Sequence, residues 1–266
     1  MAGDYAGVVT KYDLSRKEAT ATWKRKTARR IPVADIVVQG GTQVITSYKD
    51  GALVIWFDAS LEPVASVRAH AHSSIQLADL DEDRLFAVAG DDAAPPQPDA
   101  PSVTSKGYLR IFDRAQSLTR PLRTILAHAD GPGVIGVLAV PQSDPSEKQK
   151  HLLSYGGEDA SAAIKLYRHA DGFHPETLYK GATGRIMDAI AVDATTVATA
   201  WSTGHLRVHD VTSKEVVAEF EAPSVIIRVL YTAGHLVALT EKGTLSVFPY
   251  TPPRAVVTPT EETISR

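Results

Sequence analysis

The 266-residue sequence contains no cysteine, and only 7% of its residues are aromatic. Without cysteine the chain can form neither structural disulfides nor zinc sites with thiolate ligands. It also lacks any run approaching the roughly 18 consecutive apolar residues that a membrane-spanning helix requires. Its N-terminus, MAGDYAGVVTKYDL, lacks the basic and apolar segments of a signal peptide. We therefore expect a soluble intracellular protein, cytoplasmic or nuclear.

A strong excess of charge of either sign is also missing. The formal net charge of −3 and the isoelectric point near 6.3 exclude a protein that binds nucleic acid through an overall positive charge. They remain compatible with a local basic patch. The apolar share of 44% and the charged share of 22% are ordinary for a soluble globular protein and sufficient for a substantial core.

The motifs of common enzymes are absent as well. The sequence has no GxSxG, no GxxxxGK[ST], and no GxGxxG between a strand and a helix. Among nine histidines there are two close pairs, His70 with His72 and His205 with His209, but only Asp210 adds a carboxylate at metal-ligand spacing. We expect no metal, no cofactor and no catalytic residues.

The dominant feature that is present is a repeat. Six short strand-like segments begin 39 to 56 residues apart, and most end on an aromatic or aliphatic residue followed by an acid. They are GVVTKYD from Gly7, GALVIWFD from Gly51, GYLRIFD from Gly107, AAIKLYR from Ala162, GHLRVHD from Gly204 and GTLSVFP from Gly243. A period of this length built from strands is typical of β-propeller blades.

The intervening sequence supplies the other strands of each unit. In the second unit, β-rich runs at 32–38, 44–48, 53–57 and 63–68 are separated by Gly, Asp and Ser turns, as in a meandering antiparallel sheet. We expect an all-β propeller of about six four-stranded blades over residues 1–250, with the N-terminal blade incomplete. Residues 251–266 are expected to be a mostly disordered tail, in which 254–258 could add one edge strand.

The repeat endings and the turn acids resemble those of the WD-repeat propellers. In that family a His, a Ser or Thr, an Asp and a Trp form a hydrogen-bonded tetrad in each blade. The residues of this sequence that match parts of the tetrad are Ser47, Asp50 and Trp56 in the second unit and His128, Ser154 and Asp159 in the fourth. The resemblance implies a non-enzymatic scaffold for protein–protein interactions, a subunit of a larger assembly.

The strand count predicts a ring that does not close. Residues 8–13 read as a third strand and 19–24 as a fourth, with no strand upstream, while the C-terminal unit has three strands of its own. This resembles the open propellers of vesicle-coat and nuclear-pore scaffolds, in which a partner inserts the missing blade. The edge formed by Val8, Val9 and Tyr12 would then receive strands from a partner. The alternatives are that the sequence is a piece of a longer protein, or that the first unit is misassigned.

A basic run between the first two units is a second candidate binding site. Its five cations are Lys24, Arg25, Lys26, Arg29 and Arg30. Such a cluster could hold an acidic peptide, a phosphate or an RNA backbone, and the alternative is a solvated turn. An RNA- or phosphate-binding propeller, and a hydrolase with catalytic groups drawn from different blades, remain the rival functions.

Overall fold

The computed structural model describes residues 1–25, 29–41, 43–57, 61–81, 84–92, 107–117, 119–128, 134–142, 149–181 and 183–252. Within these residues all regular structure is β-strand, apart from one short 3₁₀ helix at Asp159–Ser161. A helix long and apolar enough to cross a membrane is not found in this part of the chain.

The strands form six antiparallel sheets, blades 1 to 6 in chain order. Blades 1 and 6 have three described strands each: β1 (Ala2–Gly3), β2 (Val8–Asp13) and β3 (Glu18–Lys24), and β20 (Ile226–Thr232), β21 (His235–Thr240) and β22 (Leu245–Pro249). Blades 2 and 3 have four: β4 (Val33–Gln39), β5 (Gln43–Tyr48), β6 (Ala52–Phe57) and β7 (Pro63–Arg68), and β8 (Ser73–Asp79), β9 (Leu85–Asp91), β10 (Gly107–Asp113) and β11 (Arg123–His128). Blades 4 and 5 also have four: β12 (Val134–Val140), β13 (His151–Gly156), β14 (Ala163–Tyr167) and β15 (Pro175–Lys180), and β16 (Ile186–Ala191), β17 (Thr196–Trp201), β18 (His205–Asp210) and β19 (Val216–Glu221).

This architecture confirms the predicted all-β propeller of about six blades. In every four-stranded blade the spatial order of the strands follows the chain, as a meander requires. The first strands of blades 2 to 6 lie beside one another in sequence order and form the inner wall of the ring.

The glycine that opens most of the repeated segments has a structural reason. Gly7, Gly51, Gly204 and Gly243 all have positive φ angles, between 75° and 87°. At Gly51 a Cβ atom would also lie 2.0 Å from the carbonyl oxygen of His70. Only glycine combines this backbone conformation with such a close approach, so the turn before the third strand fixes the start of the repeat.

The core lies between blades rather than inside one of them. Ile45 and Ile55 of blade 2 belong to one buried cluster with Leu77 and Val88 of blade 3. Strands packed on both faces explain why the inner runs of the sequence are almost continuously apolar. Each of blades 2 to 5 therefore depends on its two neighbours for the burial of its two faces.

Blade 1 differs from the sequence-based expectation in one respect. A two-residue strand does precede β2, because Ala2 pairs with Thr10 and Gly3 with Val9. The prediction that nothing lies upstream of β2 is therefore wrong. Two small residues show no alternation of apolar and polar side chains, so this strand left no pattern in the sequence.

Candidate protein-binding surface at the open end of the ring

The pairing registers align the blades position by position. Val247 of β22 lies opposite Val237, as Val208 of blade 5 lies opposite Ala198. Leu245 lies opposite Leu239, as Leu206 lies opposite Ala200. Residues of blade 6 can thus be compared with those that occupy the same place in the preceding blades.

The comparison shows that one face of blade 6 is uncovered. Leu245 is 66% exposed and Val247 is 57% exposed. The residues at the same two positions in blades 2 to 5 are at most 1% exposed: Leu53, Leu109, Ile164 and Leu206 for the first, and Ile55, Ile111, Leu166 and Val208 for the second. Blades 2 to 5 each pack this apolar face against the following blade, whereas in blade 6 no described blade covers it.

The inner strand of blade 6 shows the same contrast. Leu230 of β20 is 64% exposed, whereas its counterparts all pack in cores shared with the following blade. These counterparts are Val37, Ala78, Leu138 and Ile190. We call Leu230, Val237, Leu239, Leu245 and Val247 the open face. Leu230, Leu245 and Val247 are more than half exposed, and exposed apolar residues this close together are typical of an interaction site.

Blade 1 forms the opposite wall of the gap. Its Trp23 packs edge-on against Trp56 of blade 2, with ring centroids 4.0 Å apart. Because successive side chains of a strand alternate between faces, Val8, Thr10 and Tyr12 of β2 point away from blade 2, and Tyr12 is 49% exposed. Sheet pairing between blade 1 and blade 6 is not found among the described strands, so a shared sheet does not join the two ends there.

The residues proposed from the sequence as the blade-completion edge have different environments. Val9 is fully buried and pairs on one side with Gly3 of β1 and on the other with Trp23 of β3. Val8 and Tyr12 lie on the gap-facing wall. The structure therefore places Val8 and Tyr12 on a face that a partner sheet could cover, and Val9 within the blade.

Side chains of the inner strands link each blade to the next. Each inner strand of blades 2 to 6 has a β-bulge near its start. The residues that follow the bulge are, in the order of the blades, Asp35, Gln76, Gly136, Asp188 and Arg228. The Oδ2 atom of Asp35 accepts a hydrogen bond from the backbone N–H of Leu77 at 2.8 Å. Gln76 Oε1 accepts from Val137 at 3.1 Å, and Asp188 Oδ2 accepts from Val229 at 2.9 Å.

Blade 4 makes the same link with another residue, because Gly136 has no side chain. The hydroxyl of Tyr155 occupies that place, since a Cβ on Gly136 would lie 2.2 Å from it. It accepts a hydrogen bond from the backbone of Ala189 in blade 5 and donates to Gln76 Oε1 at 3.0 Å. Burial raises the pKa of Tyr155 far above its usual value, so the hydroxyl remains a donor.

The series of linking acceptors ends at Arg228, which has donors only. Its Nη1 donates to Asp188 Oδ1 of the preceding blade at 3.3 Å, and its side chain is 67% exposed. Arg228 also lines a cavity of about 570 Å³ at the centre of the ring, together with Lys49, Asp35, Gln76, Tyr155 and Met187. Burial raises the pKa of Asp35, although its two backbone hydrogen bonds and Arg228 oppose that rise.

A second repeated arrangement lies inside blades 2, 4 and 5. In each, an aromatic residue of the third strand forms a hydrogen bond with a hydroxyl on the second strand. That hydroxyl lies two residues beyond the one directly opposite the aromatic residue. The pairs are Trp56 Nε1 with Thr46 at 2.9 Å, Tyr167 with Ser154 at 3.0 Å, and His209 Nε2 with Thr199 at 2.9 Å. All six residues are buried.

These bonds differ in detail from the tetrads that the resemblance implied. His128 Nε2 does bond Ser154 at 3.0 Å, but Asp159 accepts from the backbone of Gly184 instead. In blade 2 the partner of Trp56 is Thr46, and the buried hydroxyl of Ser47 has no hydrogen-bond partner among the described residues. Asp50 pairs with Arg25 at 2.8 Å.

Sequence reasoning missed the arrangement in blade 5. There Trp201 Nε1 also donates to Thr199 at 3.0 Å, so Trp201 and His209 share one hydroxyl. The tryptophan lies on the second strand, and the histidine lies at the position that Trp56 has in blade 2. Aligning Thr46, Ser154 and Thr199 along the second strands would have revealed it.

The buried histidines do not form an accessible catalytic site. Ser154 and His128 resemble a nucleophile and its base, but both are at most 3% exposed and the Ser154 hydroxyl also bonds Tyr167. Burial, with a smaller contribution from nearby Lys165, lowers the pKa of His128 to about 4. A cluster of three or more potential metal-binding side chains is not found in the described part of the chain.

The basic run is only partly available for binding. Arg25 bonds both carboxylate oxygens of Asp50 and lies over the Tyr48 ring, 4.9 Å from its centroid. Lys24, Arg29 and Arg30 are exposed, and Lys26 lies outside the described residues. Arg25 thus has a structural role.

Comparison with known proteins supports the fold alone. No protein-family model matches the sequence, and no curated protein shows significant similarity to it. Among solved structures, a chain of the mitotic checkpoint complex is similar with a TM-score of 0.73 and 14% identity, over 94% of this chain and 73% of that one. The computationally designed protein Ika8 is similar with a TM-score of 0.65 and 15% identity, over 93% of this chain and 66% of that one. The fold is WD40-like, and such likenesses carry no function by themselves.

Proposed function

We propose that this protein is a non-enzymatic scaffold for protein–protein interactions, a subunit of an assembly in which a partner contributes strands at the open end of the ring. The WD40-like propeller is consistent with this role, because its buried inter-blade cores make a stiff frame for surface contacts. One of the similar chains comes from a multi-protein complex, the mitotic checkpoint complex, which agrees with a scaffold role.

The observation that carries the proposal is the open face. Leu245 and Val247 are more than half exposed at positions where the four preceding blades bury their residues almost completely. Burial of apolar surface contributes roughly 25 cal/mol per Å², so covering several such side chains supplies a substantial driving force for association. A surface with the spacing of a blade interface fits another β-sheet best, because each preceding blade already packs a sheet there.

A comparison of binding partners tests the proposal. The tagged full chain would be isolated from its native cells beside the double variant Leu245→Asp/Val247→Asp, with copurifying proteins quantified by mass spectrometry. Val217→Asp is the matched control, since Val217 is a 44% exposed valine on the outer strand β19. We expect one set of proteins to be lost with the double variant and retained with the control. An identical set in all three samples would contradict a scaffold role for the open end.

A further inference from the structure

We infer that the sheet covering the open face belongs to a different protein and brings a carboxylate to Arg228. This inference rests on the proposed scaffold function and specifies the chemistry of the partner. The carboxylate would belong to an aspartate or glutamate on the partner strand that lies nearest the centre of the ring.

The first reason is the series of links along the inner strands. From Asp35 through Gln76 and Tyr155 to Asp188, each blade offers an acceptor to a backbone N–H of the next blade. Arg228 occupies this position in blade 6, and a guanidinium has five N–H donors and no acceptor. A following strand of the usual pattern would present an N–H to these donors. A strand that fits must present an acceptor instead, and a carboxylate is the strongest one for arginine.

The second reason is that Arg228 has donors to spare. The contact with Asp188 Oδ1 is long at 3.3 Å, and the other oxygen of Asp188 is already bonded to Val229. The guanidinium is two-thirds exposed and borders the central cavity, where nearby Asp35 already accepts the N–H groups of Ile36 and Leu77. Shielding from water by a docked sheet would strengthen a pair between Arg228 and a carboxylate.

The opposite end of the series needs no such group. In blade 2 the N–H of Ile36, which corresponds to that of Leu77 in blade 3, is accepted by Asp35 Oδ1 at 2.8 Å. The partner therefore needs a carboxylate only on the side of the gap that faces blade 6. This asymmetry gives the incoming sheet one orientation.

The third reason concerns the described residues of the chain that could supply the carboxylate. Closure of the ring would cover the open face with the gap-facing wall of blade 1, and so would a head-to-tail contact with a second copy. On that wall Val8 pairs with Lys24 and Thr10 with Thr22. These described pairs carry a lysine and hydroxyls but no carboxylate, and Asp4, which follows β1, already accepts the N–H groups of Ala6 and Val8 through its Oδ1. We therefore assign the carboxylate to a different protein.

The experiment begins with a photo-reactive amino acid in place of Val247 in the full chain. It is expressed in native cells, and the cross-linked peptides are sequenced. We expect peptides from one other protein, with alternating apolar residues and an aspartate or glutamate nearby. Cross-links to residues 1–24, to the chain's own residues 253–266 or to a second copy would overturn the inference.

The charge pairing is then measured with the purified partner identified by the cross-links. Arg228→Gln is used because a glutamate would face Asp188, and thermal unfolding confirms that the variant is folded. We expect Arg228→Gln to lower affinity about tenfold and the partner's acid-to-amide change to do the same, with no further loss when both are combined. Arg120→Gln, at an exposed arginine elsewhere, is the control.

The two hypotheses fail in different ways. If Leu245→Asp/Val247→Asp abolishes binding while Arg228→Gln changes affinity less than twofold, or if the two single changes are additive, the carboxylate is wrong and the scaffold function stands. If the open-face double variant leaves the set of bound proteins unchanged, the scaffold function fails and the inference fails with it.

Discussion

Leu206 and Leu245 occupy the same position in the third strands of blades 5 and 6, yet Leu206 is fully buried and Leu245 is 66% exposed. The difference predicts how each responds to truncation. Leu206→Ala should destabilise the isolated protein by about 2–5 kcal/mol, because it removes buried contacts and leaves a cavity. Leu245→Ala should change the free energy of unfolding by less than about 1 kcal/mol.

Denaturant unfolding of the two variants beside the wild type measures both values. The slope of unfolding free energy against denaturant concentration should stay constant, so that the midpoints report stability alone. A loss at Leu245 as large as that at Leu206 would mean that something within the same chain covers the open face in solution.

Much of the fold could be predicted from the sequence because the repeat reflects local backbone requirements. The glycine before the third strand and the alternation after it recur in nearly every blade, so blade number and strand order followed from spacing. The β1 strand could not be predicted, since Ala2 and Gly3 carry no pattern. Its presence depends on the backbone edge that β2 offers.

The candidate site was less predictable, because it depends on which face of a strand lacks a neighbour. Leu245 and Val247 look like ordinary strand residues in the sequence, and only the pairing registers show that their counterparts are covered. The role of Arg228 requires the bulges of five inner strands to be aligned. The hydroxyl of Tyr155 takes the place of a side chain at Gly136, which lies opposite it on the neighbouring strand. The spacing of residues in the sequence does not show this replacement.

Trp56 should be a main source of stability in blade 2. It is fully buried, packs against Trp23 and donates a hydrogen bond to Thr46. We expect Trp56→Ala to destabilise by about 3–5 kcal/mol. Trp56→Phe should retain part of the packing but leave the Thr46 hydroxyl without this donor, giving an intermediate loss. Thermal and denaturant unfolding measure both, and a change below about half a kcal/mol for Trp56→Ala would show that the side chain is exposed in solution.

Three buried histidines predict a pH dependence of stability. Burial lowers the pKa values of His70, His128 and His209 from 6.5 to about 4. Between these two values the unfolded chain binds protons that the folded chain does not. The contribution of the histidines to the free energy of unfolding should therefore have its full value above pH 6.5 and decrease as the pH falls toward 4. Each histidine contributes a slope of about 1.4 kcal/mol per pH unit in this window.

Glutamine variants separate the three contributions. His128→Gln and His209→Gln should each reduce the slope of unfolding free energy between pH 6.5 and 4 by about one third. His174 is exposed, so His174→Gln is the control and should leave the slope as it is. A wild-type stability that stays flat across this window would show that the buried histidines are protonated in the folded protein.

The basic run should separate into a structural and a surface part. Arg25→Ala should destabilise by about 1 kcal/mol, because it removes a half-buried ion pair with Asp50 and the contact with Tyr48. Reversing Arg29 and Arg30 to glutamate should lower the salt concentration at which the protein elutes from heparin. Unchanged elution would identify the run as a solvated turn without a role in binding anions.

Hydrogen exchange at the two walls of the gap can be compared with exchange inside the ring. The β2 strand of blade 1 and the β22 strand of blade 6 hold the position that β6 holds in blade 2, where β5 and β7 pair with it on both sides. Only Val9 and Thr10 of β2 have partners in β1, and β22 has β21 as its described neighbour on one side.

In the isolated protein, amides of Lys11 to Asp13 and of Leu245 to Val247 should therefore exchange much faster than those of Ala52–Phe57. Both sets should become protected when the purified partner is added, because a docked sheet restricts water and local opening. Equal protection of all three segments in the isolated monomer would show that the ring closes on itself, and a partner-completed blade would then have to be abandoned.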